Sequence, residues 1–258
     1  MIWDISPEIF SIGPFVIRWY GLLFASSFLA GFLIIQWIFR EEKKPEKDLD
    51  ELLFYMMIGT VLGARLGHCI FYDPVYYFSN PVRILKVWEG GLASHGGAMG
   101  IFLALYLYAR KKPDQKYLWL LDRMAIVVAL SGFFIRLGNL FNSEIVGKPA
   151  AVAWAFIFTR VDMVPRHPAQ LYESFVYLII FIILIKIYLM KRAQTSPGFL
   201  LGMFLVNVFT FRFLIEFLKE NQSGFEAAMP INMGQILSVP LILVGIVMLI
   251  KLKSGRAN

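Results

Sequence analysis

Arg136-Leu-Gly-Asn139-Leu-Phe-Asn142-Ser-Glu144-Ile-Val-Gly147 follows a run, Ile126 to Ile135, that carries no charge. An arginine at the end of such a run, with two asparagines and a glutamate close behind, is costly in hydrocarbon unless those groups are paired or used. Whether the run crosses a bilayer therefore decides the fold, and with it what the arginine is for.

Hydrophobic residues make up 58% of the 258 residues and charged residues only 17%, with a mean hydropathy of +0.65. Ordinary soluble domains are less apolar and more charged. The charges cluster between long apolar runs, so the chain reads as an all-α, polytopic membrane protein. A span needs about 20 apolar residues for a hydrocarbon core of roughly 30 Å. Seven spans are predicted, over 15–39, 51–72, 94–109, 117–139, 168–190, 198–219 and 232–251, the third of them short and glycine-rich. They make one transmembrane domain over 1–258, with 140–167 as an outer-face insertion. Within it, Ala150 to Phe158 reads either as a short strand pair or as an amphipathic element over the membrane. Residues 1–13 contain no Lys or Arg and the first span is long, so no cleaved signal peptide is expected. There is no internal repeat of the kind that builds inverted-repeat transporters.

The net charge of +7 does not point to nucleic acid, because most of it sits in short loops. Loops 40–50, 110–116, 191–197 and 252–258 hold twelve basic residues, whereas 1–14, 73–93, 140–167 and 220–231 hold five. The positive-inside bias then places the N-terminus outside and the C-terminus in the cytoplasm.

Depth can be counted at about 1.5 Å per helical residue. Arg65 and Arg212 each lie 14 residues into a span entered from inside, roughly 21 Å deep. Arg136 stands at the outer end of the fourth span. Tyr20, His95, Gln170 and Glu173 lie near the starts of spans entered from outside. All converge on the outer half of the membrane. A channel or flippase would leave polar residues at several depths, and a seven-helix receptor or scaffold would not account for this shared level. Arginines at headgroup depth suit an anionic lipid phosphate, which guanidinium binds through paired N–H donors.

Each residue also has a plainer reading. Arg136 and Asn139 share a helical face, as a ligand clamp or as a snorkelling arginine with a helix-ending asparagine. Arg212 and Glu216 are four apart, an intrahelical ion pair or part of a site. Glu144 and Glu173 partner arginines or simply end loops. Arg65, in Gly63-Ala-Arg-Leu-Gly67, either joins the site or ties to an acid, and the small residues around it suggest close helix packing. His95, in Gly90-Gly-Leu-Ala-Ser-His-Gly-Gly-Ala-Met-Gly100, is a proton acceptor near neutral pH or a packing histidine. His68, His95 and His167 are dispersed without ligand spacing, so no metal is expected, and no cofactor motif occurs. The single Cys69 lies in an apolar run and reads as packing, not as a nucleophile.

Seven motifs in order resemble the prolipoprotein diacylglyceryl transferase family along nearly the whole chain. They are Ile17-Arg-Trp-Tyr20-Gly-Leu, Gly63-Ala-Arg65-Leu-Gly, His95-Gly-Gly-Ala-Met-Gly100, Arg136 to Gly147, His167-Pro-Ala-Gln170-Leu-Tyr-Glu173, Phe211-Arg212-Phe-Leu-Ile-Glu216 and Met233-Gly-Gln235-Ile-Leu-Ser238. Three positions depart from the family pattern. Ile135 replaces a glycine, Val208 a frequent tyrosine and Lys219 a frequent arginine.

The resemblance implies transfer of the diacylglyceryl group of phosphatidylglycerol to the lipobox cysteine of a preprolipoprotein, in the bacterial cytoplasmic (inner) membrane. It implies His95, Arg136 and Arg212 as catalytic residues. It implies Tyr20, Arg136, Asn139, Glu144, Gly147, Glu173 and Glu216 as the substrate-binding set, with Tyr20 the alternative proton carrier. The nucleophile would be the substrate's own thiol.

Overall fold

The computed structural model describes residues 1–13, 15–220 and 229–254; Arg256 and most of the 220–231 connection lie outside them. The described residues form eight helices, α1 (Trp19–Glu41), α2 (Lys47–Phe71), α3 (Pro74–Ser79), α4 (Ser94–Lys111), α5 (Tyr117–Asn142), α6 (Ala169–Lys191), α7 (Phe199–Ile215) and α8 (Met233–Ser254). Five short strands accompany them: β1 (Ile2–Trp3), β2 (Glu8–Ile12), β3 (Phe15–Arg18), β4 (Phe156–Phe158) and β5 (Pro165–Arg166).

Among the described residues, six helical segments are long and apolar enough to cross a membrane: Trp19–Glu41, Lys47–Phe71, Tyr117–Asn142, Ala169–Gln194, Phe199–Leu218 and Met233–Lys253. The chain is thus an all-α polytopic membrane protein. The seventh expected span, 94–109, folds as α4 but is not among the six, because its Ser-His-Gly-Gly start and its Arg110-Lys111 end both lower its mean hydropathy. The first span begins later than expected. Residues 15–18 form β3, paired antiparallel with β2; their β-branched apolar side chains suit a strand as well as a helix.

The chain clusters into two compact units, Met1–Ile38 with Asp122–Asn258, and Phe39–Leu121. In the second unit α2 and α4 approach to backbone contact. Gly59, Gly63 and Gly67 face Gly96 and Gly100, and a Cβ at any of the five would strike atoms of the opposite helix. Small residues four apart let helices come this close where no hydrophobic force separates protein from lipid. The glycines around His95 therefore serve packing of helix on helix. Arg65 was expected to meet an acid or join the site. It is buried instead, and its described hydrogen-bond acceptors are the carbonyls of Arg83, Ile84, Gly90 and Gly91, with its guanidinium 4.9 Å from the Tyr77 ring centre. It thus pins the 83–91 segment, with its short 3-10 turns, onto α2. At the other end of α2, Asp48 accepts from Lys112 and Gln115, each at 2.7 Å. Cys69 is buried.

In the first unit α6, α7 and α8 pack in sequence. Asp122, fully buried on α5, receives the Gly198 and Leu201 amides at 2.8 Å and so caps the start of α7. The 140–167 connection is a small head. Of the two readings of Ala150 to Phe158, the strand prevails: β4 pairs parallel with β1 and antiparallel with β5. Leu140, Phe156 and Phe158 make its core, with Trp3, Val146 and Leu171 packed against them. Arg166 ties the head to the end of α7. It donates to Asp162 at 2.5 Å, to Glu220 at 2.7 Å and to the Gly147 carbonyl at 3.2 Å.

Two predictions follow from these contacts. Gly100→Ala places a methyl on the Gly59 carbonyl, so it should lower stability by about 1–3 kcal/mol, read as a lower Tm of the purified protein. The Asp162 carboxyl is held below its ordinary value of 3.8 by Arg166 and the Val164 amide. Its contribution is therefore complete above pH 3.8 and is lost as pH falls through the lowered value. Hydrogen exchange across 147–166, corrected for intrinsic rates, should be flat near neutrality and rise in acid, and Asp162→Asn should abolish that dependence.

Candidate active site

Arg136 lies nearly two turns before the end of α5, beside Glu173 of α6. Its Nη1 donates to Asn139 Oδ1 at 3.1 Å, and Tyr177, closed over Gly132, stands beside it. Its Nε is 3.1 Å from Glu173 Oε2, yet that oxygen accepts no hydrogen bond. The two charges are adjacent, but the Nε–H is not aligned on that oxygen.

A continuous run of charge leads on from Glu173. Its Oε1 is 3.6 Å from Lys219 Nζ. Lys219 Nζ donates to Glu216 Oε1 at 2.8 Å, and Arg212 Nη2 is 3.7 Å from the same oxygen. Glu216 Oε2 accepts from Asn232 at 3.0 Å. Asn232 is fixed by a reciprocal cap on α8: its amide bonds Gln235 Oε1 at 3.0 Å while its Oδ1 takes the Gln235 amide at 2.9 Å. Gly234 leaves room for the Glu216 carboxylate, which a Cβ there would strike.

The side chains of Glu173, Lys219 and Glu216 are 3%, 0% and 5% exposed, against 12% for Arg136 and 32% for Arg212. Three cations and two carboxylates leave one net positive charge, carried by the two more open arginines. Arg212 and Glu173 also line a narrow cavity with Val176, Tyr177, Ile180, Val208 and Phe211. A groove between α6 and α7 shares Val176, Ile180 and Phe211 and continues along mostly apolar side chains. Val208, where the family often has tyrosine, forms part of the cavity wall.

The Glu144 turn flanks Arg136 on its other side. Glu144 accepts from Asn139 at 3.1 Å and Asn142 at 2.8 Å, and its carbonyl accepts from Gln170 at 2.5 Å. Ser143 and Ile145 on either side adopt φ of 55° and 56°. That conformation is costly for β-branched Ile145, and the side-chain bonds to Glu144 hold the turn in it. Gly147 sits where a Cβ would meet His167 and the Leu218 carbonyl. Tyr20 lies against Gly138, with its ring 6.4 Å from that of Phe24.

The first unit thus brings together Tyr20, Arg136, Asn139, Glu144, Gly147, Glu173, Arg212 and Glu216. His95 belongs to the second unit. There its Nε2 lies 3.2 Å from the Tyr72 hydroxyl, and the rings of His68, Tyr72 and His95 stack at 5.3 and 6.2 Å. Arg212 and Glu216 are neighbours, at a distance too long for a hydrogen bond. Lys219, Tyr177 and Asn232 were not foreseen as site residues. Tyr177 lies four residues after Glu173, a spacing that carries the signal; Asn232 is far from Glu216 in sequence and carries none.

The prolipoprotein diacylglyceryl transferase family model matches residues 7–251. Three relatives share the name phosphatidylglycerol–prolipoprotein diacylglyceryl transferase. The one from Chloroherpeton thalassium is 51% identical over 96% of this chain and 93% of its own length. The one from Tolumonas auensis is 48% identical over the full length of both. The one from Bacteroides fragilis is 44% identical over 95% of this chain and 92% of its own. With a family match across almost the whole sequence, and relatives of this similarity, the chain belongs to the prolipoprotein diacylglyceryl transferases.

Proposed function

We infer that the chain transfers the diacylglyceryl group of phosphatidylglycerol to the thiol of a prolipoprotein's lipobox cysteine, the first step of lipoprotein maturation. The observation that carries this reading is the net positive charge of the Arg136–Glu173–Lys219–Glu216–Arg212 network at the head of an apolar groove. An anionic headgroup meets the arginines while acyl chains lie along α6 and α7.

In the reaction, sulfur forms a bond to the glycerol carbon that bears the phosphate, and that carbon's bond to oxygen breaks. The electron pair stays with the departing glycerol phosphate, which passes from one negative charge to two. Arg136 and Arg212 carry donors for that growing charge. The thiol, with a reference pKa near 8.5, gives its proton to His95, with Tyr20 the alternative carrier. Asn139, Glu144, Glu173 and Glu216 orient the arginines or take the hydroxyls of the lipid's terminal glycerol, and Gly147 completes the binding set. No protein thiol is required, in keeping with the buried Cys69.

The same reading makes the protein resident in the bacterial inner membrane as one transmembrane domain, with α4 as a seventh span and 140–167 as an outer-face insertion. The basic loops face the cytoplasm, with the C-terminus on that side and the N-terminus outside.

Purified protein, phosphatidylglycerol and a lipobox peptide should yield a diacylglyceryl adduct on the peptide cysteine by mass spectrometry. Arg136→Ala should lower the rate at least about a hundredfold, the usual loss when one charge-stabilising donor is removed. His95→Ala should abolish thioether formation while the protein remains folded. Near-normal transfer by both variants would overturn the assignment.

A further inference from the structure

Lys219 stands where the family often has an arginine, and it is fully buried. Its Nζ reaches both acidic side chains of the charged network, at 2.8 Å from Glu216 and 3.6 Å from Glu173. An ammonium without solvent access cannot meet a lipid headgroup. What it does is satisfy carboxylates that would otherwise turn to the nearest guanidiniums.

The geometry of those guanidiniums shows the consequence. Arg212 stays 3.7 Å from Glu216, beyond hydrogen-bond distance. Arg136 lies beside Glu173 without donating a hydrogen bond to its Oε2. Both arginines are held near acids by charge, yet neither has its fork closed by a carboxylate. A bidentate arginine–carboxylate pair would consume the donors that bidentate phosphate recognition needs.

We propose that Lys219 is a positioning residue for anionic-lipid binding: by neutralising Glu173 and Glu216 together, it keeps the donors of Arg136 and Arg212 open for the phosphate. This rests on the reading of phosphatidylglycerol as substrate. It adds that the affinity of the site is set by a residue the lipid does not touch. Lys219→Met removes one positive charge and brings the network to neutrality. Both carboxylates then draw the arginines inward. Lys219→Gln removes the same charge but keeps a polar group between the two carboxylates. Lys219→Arg keeps the charge in a bulkier form.

Titration of the detergent-solubilised protein with a fluorescent phosphatidylglycerol gives Kd without turnover, and so separates failure of this proposal from failure of the proposed activity. Lys219→Met should weaken binding about thirtyfold or more, the usual consequence of truncating one partner of a buried charge pair. In the transfer assay the loss should appear mainly in KM and less in kcat. Lys219→Arg should stay near wild type. A wild-type Kd for Lys219→Met would overturn the proposal, as would a loss of about thirtyfold in Lys219→Arg. If Lys219→Met is not recovered folded, Lys219→Gln decides in its place, with a loss of about thirtyfold supporting the proposal and a near-wild-type Kd refuting it.

Discussion

Glu173 on α6 and Glu216 at the end of α7 place two carboxylates where solvent hardly reaches, each within 4 Å of Lys219. Buried charge is tolerated only when it is paired and its remaining lone pairs are met. This requirement organises the first unit. α7 ends in a single 3-10 turn, Glu216–Leu218, which brings Lys219 round beneath Glu216. Asn232 meets the other Glu216 oxygen, and it does so from the cap of α8, so the start of that helix is tied to the charge. Backbone bonds then carry the order outward: Lys148 N to the Leu218 carbonyl, Glu220 N to the Val146 carbonyl, and Gly147 N to His167. The head and the helix ends are held by the groups that hold the carboxylates.

The second unit meets a different demand with a different means. α2 and α4 are joined through glycines, where dispersion between close backbones replaces the hydrophobic effect that lipid cannot supply. Arg65 sits in the same helix pair but answers a polar need, gathering carbonyls of the irregular 83–91 segment. An arginine in a membrane protein thus has two uses here. Arg65 spends its donors on backbone carbonyls, while Arg136 gives one bond to Asn139 and Arg212 stands 3.7 Å from Glu216.

That division bears on the chemistry. A transferase whose nucleophile comes with the substrate has no need to activate a residue of its own, so its task is to hold an anion and steady the charge that grows on it. Under the proposed function, a network already ordered by its own ion pairs would suit that task, because its charges need little rearrangement.

Hydropathy and charge placed the ends of α2 and α5 to α8 to within four residues, because in hydrocarbon the only open-ended structure that satisfies its own backbone is a helix. That Arg136, Glu173 and Arg212 belong to one neighbourhood was also legible, since helical rise places them at one level of neighbouring helices. The small elements were not. Residues 15–18 are as apolar as the helix after them, and only pairing with β2 makes them a strand. β4 finds β1 from more than 150 positions away, a distance that no local pattern encodes. Arg65 shows the limit most clearly. From sequence it matched Arg136 and Arg212 in type and depth, and the loop folded over it turned it into a scaffold. Lys219, which in sequence is only a departure from a pattern, became the centre of the charge network once α6 and α7 were packed together. By itself, then, the sequence determined the long helices and the family, because hydropathy and motif order are properties of one dimension. Which arginines stay open for a ligand was decided only by tertiary structure, because that depends on which carboxylates and carbonyls reach each guanidinium in space.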